Sequence, residues 1–324
     1  MRYFITGCTG FIGLHLCRLI LSKNHEVVGL VRNPQKIPPD LRGKIQVIQG
    51  DLRIFQKLPI ELPPMDVVIH LAAVITGMNS SDYMEINFEA ARHLLNALNR
   101  QRWKPKRLLF ASSLAAAGPN LNGVVSRETD APHPIDPYGE AKLKVEQLLP
   151  MQPFPTTAFR PPIVLGSGDP AMFTLYKMAK AGFSVLPMGK PQLLSFVYVA
   201  DLTRAIWLMS LDKSENHRLY FVTSEVAVTN RELVQEIGYA LGKKLRILLL
   251  PKFVLKIAMV LSTGVATLFR KPNVFDNKQY RQITAPSFVC TSDLLTAETG
   301  WSAAIGLSDA IRMSVDGYRK LKWL

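Results

Sequence analysis

The chain has 324 residues, 48% of them hydrophobic and 20% charged, and a formal net charge of +14 at neutral pH. A chain of this size buries a sizeable core, and we expect one large lobe and one smaller lobe. The cysteines, Cys8, Cys17 and Cys290, show no paired spacing, which argues against a disulfide framework or a metal site and favours a reducing cytoplasm. Because no nucleic-acid fold signature accompanies the basic residues, we expect no nucleic-acid partner.

The first predicted elements are a strand at residues 2–6 and an amphipathic helix at residues 11–21. The loop that joins them and the first residues of the helix are Gly7, Cys8, Thr9, Gly10, Phe11, Ile12 and Gly13. Gly7 permits a tight turn, Gly10 lets the backbone approach a pyrophosphate, and Gly13 lets the helix pack closely on the strand. Unpaired helix N–H groups then face the phosphates, so this segment predicts a dinucleotide site.

Apolar runs alternate with helical patterns through the first half of the chain. The predicted strands lie at residues 2–6, 26–31, 45–49, 66–71, 107–111 and 156–159. Helices fall between most of them, and nearly continuous apolar strands separated by helices indicate a parallel sheet covered on both faces. The predicted fold class is therefore α/β, with a doubly wound Rossmann sheet whose ligand crevice lies at the carboxyl ends of the strands.

The end of the second strand bears on the choice of dinucleotide. An acidic residue there grips the adenine ribose hydroxyls, whereas a 2′-phosphate requires a cation and no acid. This strand ends with Val31, and Arg32 follows with no Asp or Glu close by. Since a planar guanidinium binds a phosphate or stacks on adenine, we expect NADP rather than NAD, with an ordinary surface arginine as the alternative.

A serine, a tyrosine and a lysine supply the candidate chemistry. Tyr138 and Lys142 are four residues apart in a predicted helix and therefore share one face. A free tyrosine titrates near ~10, and a neighbouring ammonium is expected to lower that pKa by favouring the phenolate. Ser113, just beyond the strand at 107–111, would hydrogen-bond the substrate oxygen that Tyr138 protonates or deprotonates.

These features together resemble the extended branch of the short-chain dehydrogenase/reductase superfamily, over almost the whole chain. The resemblance implies that Asn87 props the active-site backbone, that Ser113 is the serine at the substrate and that Ser112 bonds the backbone. Asp201 matches a strand-to-helix landmark, either as a helix N-cap or with a closer role at the site. The residues expected to bind the cofactor are Gly7, Thr9, Gly10, Phe11, Ile12, Gly13, Arg32, Asp51, Leu52, Leu71, Ala72, Ala73, Asn87, Tyr138, Lys142 and Pro161.

Two departures from the sugar-modifying members bear on the substrate. Dehydratases of this superfamily place Asp-Glu directly after the catalytic Ser or Thr, where this chain has Leu114 and Ala115. Sugar epimerases commonly carry an asparagine a few residues past the Arg, where this chain has Pro161, Pro162 and Ile163. The resemblance is closest to dihydroflavonol-reductase-like and 3β-hydroxysteroid-dehydrogenase-like members, which implies a less polar ketone or alcohol.

The alternation loosens in the second half of the chain. Predicted elements there are a helix at 172–181, a strand at 219–222 and a helix at 230–241. We assign residues 1–165 to the cofactor lobe, with 196–222 returning to it, and residues 166–195 and 223–324 to a smaller, mixed α/β substrate lobe. This boundary is discontinuous along the sequence.

Within the segment 245–271, residues 245–269 are strongly apolar, but Pro251, Lys252 and Lys256 interrupt the run. The uninterrupted part is shorter than the ~20 residues that a helix needs to cross a bilayer. Two interpretations stay open: a packed helix of the substrate lobe, or an interfacial helix on a membrane with lysines and with Arg270 and Lys271 at the headgroups. Either helix could wall a hydrophobic substrate pocket.

The sequence thus predicts an NAD(P)-dependent oxidoreductase that interconverts a hydroxyl and a carbonyl on a moderately apolar small molecule. Hydride transfer would occur at nicotinamide C4, with Tyr138 exchanging the proton. A nucleotide-sugar epimerase, and a non-catalytic NADPH-sensing or scaffold protein, are the alternatives. The family resemblance also implies a homodimer through two helices of the sheet lobe, one of which would cover residues 138–149.

Overall fold

The computed structural model describes residues 1–56, 60–75, 80–120, 124–268 and 275–324. The strands in these ranges are β1 (Arg2–Thr6), β2 (Glu26–Val31), β3 (Ile45–Gln49), β4 (Val67–His70), β5 (Arg107–Ala111), β6 (Thr156–Arg160), β7 (Ile163–Leu165), β8 (Phe183–Pro187), β9 (Leu193–Leu194), β10 (Phe196–Tyr198), β11 (Arg218–Phe221), β12 (Val228–Thr229), β13 (Arg246–Leu250) and β14 (Ser287–Phe288). The α-helices there are α1 (Phe11–Ser22), α2 (Ser80–Tyr83), α3 (Ala90–Arg100), α4 (Leu114–Ala117), α5 (Pro137–Leu148), α6 (Pro170–Lys180), α7 (Val199–Ser210), α8 (Asn230–Ala240), α9 (Lys252–Leu268), α10 (Asn277–Thr284), α11 (Asp293–Thr299) and α12 (Leu307–Lys320). A π-helical segment, Met84–Glu89, joins α2 to α3.

Seven of the described strands form one parallel sheet, in the order β11-β6-β5-β4-β1-β2-β3. Phe4 of the central strand β1 lies opposite Val28 on one side and Val68 on the other. The strand order reverses between β1 and β4, and doubly wound sheets bind their ligands at such a reversal. The predicted α/β fold class is confirmed.

Both faces of the sheet are covered because successive side chains of each strand point to opposite sides. Tyr3 and Ile5 of β1 join a core that includes residues of α1 and α7, such as Leu16 and Leu202. Phe4 joins a second core with α3 and α5 on the other face. Each fully buried large apolar side chain contributes roughly 1.5–3 kcal/mol, so these two layers dominate the stability of the sheet lobe.

The segment from β10 to β11 packs on this sheet lobe. Strand β10 pairs with β7 in a separate two-stranded sheet, and α7 lies beside α1. Strand β11 then adds to the edge of the large sheet beside β6. The chain therefore leaves the main sheet after β6 and comes back to it at β11.

The smaller lobe is built around α6, α8 and α12. Its core contains Tyr176, Leu233, Ile311 and Tyr318. The ring of Tyr318 lies 5.0 Å from that of Tyr176, and its hydroxyl donates to the carbonyl of Asp169 at 2.9 Å. Short strands complete the lobe, with β12, β9 and β14 in one sheet and β8 paired with β13.

Helix α9 is packed along one side only. Leu255 is buried, whereas Phe253, Ile257 and Leu261 are more than half exposed. The helix therefore packs on the substrate lobe along one side and leaves the rest of its apolar surface exposed. The end of the apolar run, with Arg270 and Lys271, lies outside the described residues. Among the described helices, none has the length and apolarity that crossing a membrane requires.

Candidate active site

The loop between β1 and α1 depends on two glycines for its shape. Gly7 has a positive φ of 76°, and a Cβ there would lie 2.7 Å from the backbone nitrogen of Ala72. A Cβ at Gly13 would lie 2.1 Å from the carbonyl oxygen of Gly7. Because a side chain at either position would overlap backbone, the loop, the start of α1 and the chain after β4 can approach only with glycine there.

The start of α1 has the features of an anion site. No side chain caps the helix at Gly10, and no acidic residue lies in its first turn. The first N–H groups of a helix lack partners within the helix and carry a partial positive charge. In α1 these groups include the N–H of Phe11 and of Ile12, and Thr9 lies just before them. Gly10 is exposed and carries no Cβ, so a pyrophosphate can approach the backbone here, and the helix start fits a dinucleotide.

The ends of β2 and β3 are rich in cations. The Arg32 side chain is exposed directly after β2. Asp51, after β3, forms an ion pair with Arg53 at 2.6 Å. The hydrogen bond from Arg53 holds the pKa of Asp51 below its ordinary value, and the charge of Arg32 acts in the same direction. Leu52 begins a short 3₁₀-helix, Leu52–Gln56. Arg53 lies in this helix, and its pairing with Asp51 was not predicted from the sequence.

Residues Leu71, Ala72 and Ala73 follow β4 and lie against the glycine loop. The backbone N–H of Leu71 donates to the carbonyl of Thr6 at 3.1 Å. Val74, which follows Ala73, is held by the side-chain amide of Asn87. The Asn87 Oδ1 accepts from the Val74 N–H at 2.8 Å, and the Asn87 Nδ2 donates to the Val74 carbonyl at 2.9 Å. A buried asparagine thus orients the backbone directly beyond β4.

The serine, the tyrosine and the lysine lie together at the ends of β5 and α5. Ser113 follows β5 and caps α4 by accepting a hydrogen bond from the Ala115 N–H at 3.2 Å. Tyr138 is the second residue of α5, and it lies close enough to Ser113 for the serine hydroxyl to act on the tyrosine pKa. Lys142 lies one turn further along α5, where its Nζ donates to the Ala111 carbonyl at 2.6 Å and lies 5.8 Å from the centre of the Tyr138 ring.

The pKa values of Tyr138 and Lys142 differ from those expected from the sequence. Burial raises the pKa of Tyr138 to about 12, although the nearby Ser113 hydroxyl acts in the opposite direction. Burial also lowers the pKa of Lys142 to about 7, although the carboxylate of Glu146 opposes this. The predicted lowering of the Tyr138 pKa by Lys142 is therefore wrong for the protein alone, because desolvation of both groups outweighs their attraction.

A tightly packed and capped helix start holds Tyr138 in place. Asp136 caps α5 by accepting from the Gly139 N–H at 2.9 Å. A Cβ at Gly139 would lie 2.3 Å from the carbonyl oxygen of Ala115, so α5 touches α4 at this point. This contact brings the tyrosine next to the serine, since Tyr138 directly precedes the glycine.

A buried charged pair lies beneath Lys142. The guanidinium of Arg160, at the end of β6, donates to both carboxylate oxygens of Glu146 at 2.9 and 2.6 Å. The hydroxyl of Ser112 donates to the same carboxylate. The expectation that the Ser112 side chain bonds backbone is thus wrong, because a buried carboxylate within reach is the stronger acceptor. Next along the chain, the Pro161 carbonyl accepts from the Leu114 N–H at 2.9 Å and so ties β6 to α4.

Helix α10 brings groups to the site that sequence reasoning missed. Lys278 is only 5% exposed, and its Nζ lies 4.5 Å from the centre of the Tyr138 ring. The same Nζ donates to the carbonyl of Ile75 at 2.6 Å. Gln282 of α10 donates to Asp136, the cap of α5, at 2.8 Å. The smaller lobe therefore contacts both the tyrosine and the helix that carries it.

Asp201 has a different role from either one expected. It lies inside the first turn of α7 rather than at its N-cap, which is Tyr198. Its carboxylate accepts from the backbone N–H groups of Ala304 and Ile305 at 3.1 and 3.0 Å. The residue anchors the chain between α11 and α12 and does not meet the tyrosine group.

Comparison with known proteins identifies the class. Residues 3–222 match the model of the NAD dependent epimerase/dehydratase family, which is more than half of the chain. The chain belongs to this family, and it is an enzyme of the extended short-chain dehydrogenase/reductase type.

Its individual relatives span reductases, dehydrogenases and epimerases. The chain is 26% identical to a ceramide reductase of Caulobacter vibrioides, covering 99% of this chain and 95% of the relative. It is 24% identical to a 3 beta-hydroxysteroid dehydrogenase/Delta 5→4-isomerase of vaccinia virus, over 85% and 86%. A solved UDP-glucose 4-epimerase of Thermus thermophilus, in complex with NAD, superposes with a TM-score of 0.74 at 23% identity, covering 98% of this chain and 99% of that one. At this identity the structural likeness shows the fold.

Proposed function

We propose that this enzyme is an NADPH-dependent oxidoreductase that reduces a carbonyl to a hydroxyl on a moderately apolar small molecule. The observation that carries the proposal is that Ser113, Tyr138 and Lys142 lie close together at the strand ends, with Lys142 Nζ 5.8 Å from the centre of the Tyr138 ring. This group lies at the same edge of the sheet as the glycine loop, where a doubly wound fold binds a dinucleotide.

The three side chains have complementary tasks in such a reaction. When bound, NADPH supplies the hydride that the carbonyl carbon receives. Tyr138, neutral at pH 7 because burial raises its pKa to about 12, donates its phenolic proton to the carbonyl oxygen. Ser113 hydrogen-bonds the same oxygen and polarises the carbonyl. The ammonium form of Lys142 stabilises the negative charge left on Tyr138.

Arg32 supports NADP over NAD. Its side chain is exposed directly after β2, where an acidic residue would bind the ribose hydroxyls of NAD. Arg53 pairs with Asp51 and neutralises that carboxylate, which leaves the Arg32 guanidinium available for a 2′-phosphate. A guanidinium binds phosphate through parallel N–H groups, which favours the phosphorylated cofactor.

The surroundings of Ser113 support an apolar substrate. Leu114 and Ala115 follow it and are buried, so no acid stands where a dehydratase needs one to protonate a leaving hydroxyl. The names of the reductase and hydroxysteroid relatives agree with a ketone or alcohol on an apolar body. A nucleotide-sugar epimerase is the second candidate, since solved epimerases share the whole fold.

Replacement of Tyr138 by Phe tests the proposal. We expect Tyr138→Phe to abolish NADPH oxidation over a panel of apolar ketones while leaving the NADPH Kd nearly unchanged, because only the proton donor is lost. Full turnover in this variant would refute the mechanism. The epimerase alternative predicts tightly retained dinucleotide after purification and product formation without added NADP, so both measurements separate the two candidates.

A further inference from the structure

Helix α9 presents an apolar surface to water. Its exposed apolar side chains are between 55% and 78% accessible, and they are Phe253, Ile257, Val260, Leu261, Val265 and Leu268. Strand β13, directly before the helix, also exposes Leu248 and Leu249. Proteins that work as free monomers seldom leave a contiguous apolar surface of this kind uncovered, so this surface is expected to have a partner.

The exposed residues form one stripe along the helix. At about 100° per residue, positions 253, 257, 260, 261, 265 and 268 fall within an arc of roughly 140°. The packed side lies opposite and contains Leu255. Lys256 and Lys252 border one margin of the stripe, so the helix has a packed side, an apolar side and a cationic margin. A helix that lies in a bilayer interface has this pattern.

The stretch of sequence that contains α9 carries charges of a single sign. Between Glu236 and Asp276 the sequence contains no acidic residue, whereas it contains Lys243, Lys244, Arg246, Lys252, Lys256, Arg270 and Lys271. The side chains of Lys243, Lys244, Arg246 and Lys256 are exposed. Each lysine or arginine near an anionic leaflet adds about 1 kcal/mol of attraction, so the cluster is a substantial electrostatic contribution.

We infer that the stripe of α9 docks on an anionic membrane surface, with the helix lying in the interface and with Lys256 and the exposed cations before the helix at the lipid phosphates. A second copy of the chain is a poorer occupant, because a symmetric contact through this stripe would bring the two cationic segments together with no acid between them. Apolar burial and cation–phosphate attraction act together on a bilayer, and one surface supplies both.

The docked helix is connected to the candidate active site. Helix α9 packs against α10, and Lys252 Nζ donates to the Thr284 carbonyl at the end of α10 at 3.0 Å. Lys278 of the same α10 lies over the Tyr138 ring. Docking would therefore bring the wall of the substrate lobe beside the bilayer. That bilayer is a source of the apolar substrate, and this last step alone rests on the proposed function.

Vesicle sedimentation with the full chain tests the docking. The probes are vesicles of phosphatidylcholine alone and of phosphatidylcholine with about one-third phosphatidylglycerol. The variants are Ile257→Glu with Leu261→Glu on the stripe, and Lys244→Glu with Lys256→Glu in the cation cluster. Met151→Glu, at an exposed apolar residue of the sheet lobe, is the matched control.

We expect the wild type and the control to sediment with the anionic vesicles and to stay in solution with phosphatidylcholine alone. The stripe variant should lower the bound-to-free ratio at least about tenfold, because two apolar side chains no longer enter the interface. The lysine variant should lower it too, and added salt should weaken wild-type binding. Wild-type protein that stays in solution with both vesicles, or a stripe variant that sediments like wild type, would overturn the inference. A wild-type dimer that the stripe variant breaks, without vesicle binding, would overturn it as well.

NADPH binding keeps this test distinct from the test of the proposed function. The stripe variant alters exposed residues far along the chain from the dinucleotide loop, and we expect its NADPH Kd to equal that of the wild type. Vesicle binding by Tyr138→Phe should likewise be normal. Loss of docking with intact reduction, and loss of reduction with intact docking, are therefore separately observable.

Discussion

Lys142 is a buried cation, and its burial makes the stability of this protein depend on pH in a defined direction. The side chain is 2% exposed, and its Nζ donates to the Ala111 carbonyl. Burial lowers its pKa to about 7, from 10.5 for an ordinary lysine. Replacement by Met keeps most of the side-chain volume and removes the titration.

Whether stability rises or falls with pH depends on whether the folded or the unfolded chain holds the Lys142 proton. Below pH 7 the lysine is protonated in the folded and unfolded chains, and folding bears the full cost of burying the ammonium, on the order of 5 kcal/mol. Between pH 7 and 10.5 only the unfolded chain holds the proton, so the cost falls and stability rises with pH. We expect the free energy of unfolding of the wild type to gain about 2 kcal/mol from this group between pH 7 and pH 9.

Urea unfolding of wild type and Lys142→Met at these two pH values measures the effect. Other titrating groups are common to both proteins and cancel in the difference, and the lost hydrogen bond to Ala111 adds a constant. The stability of Lys142→Met relative to wild type should therefore be about 2 kcal/mol greater at pH 7 than at pH 9. Lys144→Met, at an exposed position of α5, controls for the loss of a lysine. A Lys142→Met difference that does not change with pH would refute the reasoning.

Three further substitutions test other parts of the site. Arg32→Asp should lower the preference for NADPH over NADH at least about tenfold, because a carboxylate repels the 2′-phosphate, and an unchanged ratio of the two Kd values would contradict the cofactor assignment. Glu146→Gln should lower the free energy of unfolding by roughly 3 kcal/mol, since it leaves the Arg160 guanidinium buried without its counter-charge, and a loss below about 1 kcal/mol in urea unfolding would argue against this. Lys278→Met should lower kcat/KM about tenfold at an unchanged NADPH Kd, because the Tyr138 ring loses the cation over it. A change in the NADPH Kd alone would mean that Lys278 acts on cofactor binding rather than on Tyr138.

The main sheet was predictable because its signals are local. Each of the strands β1 to β6 is a short apolar run bounded by turn residues, and period and length suffice to find such runs. The glycine loop was predictable for a steric reason, since Gly7 and Gly13 lie where a Cβ would overlap backbone. Positions of this kind restrict the sequence to one residue type, so the pattern carries the geometry.

The contribution of α10 was not predictable in the same way. Lys278 and Tyr138 are far apart in sequence, and a lysine on a short polar helix is ordinarily a solvated residue. Only the docking of the smaller lobe buries it. Ser112 was misjudged for a related reason, because the Glu146 carboxylate that it meets lies on another element. Partners across elements have no signature in local spacing.

The pKa of Tyr138 shows how far spacing alone can mislead. The separation of four residues does place Lys142 on the same side of α5. Spacing says nothing of burial, however, and burial decides the sign here by raising the tyrosine pKa to about 12 and lowering the lysine pKa to about 7. A lysine that is only partly protonated at neutral pH is a weak source of charge for its neighbour.

The raised pKa of Tyr138 has a consequence for the direction of the proposed reaction. With a pKa of about 12, Tyr138 is a phenolate in roughly one molecule in 100,000 at pH 7, so it is ready to donate a proton but not to accept one. Reduction of a ketone should therefore slow between pH 7 and 9 as Lys142, whose pKa is about 7, loses the ammonium proton that stabilises the phenolate, whereas oxidation of the matching alcohol should accelerate with pH. Initial rates in both directions, measured with the same substrate pair, check this. Equal pH dependence of the two directions would mean that binding of the dinucleotide brings the Tyr138 pKa down to neutrality, and the chain's own burial would no longer govern the proton.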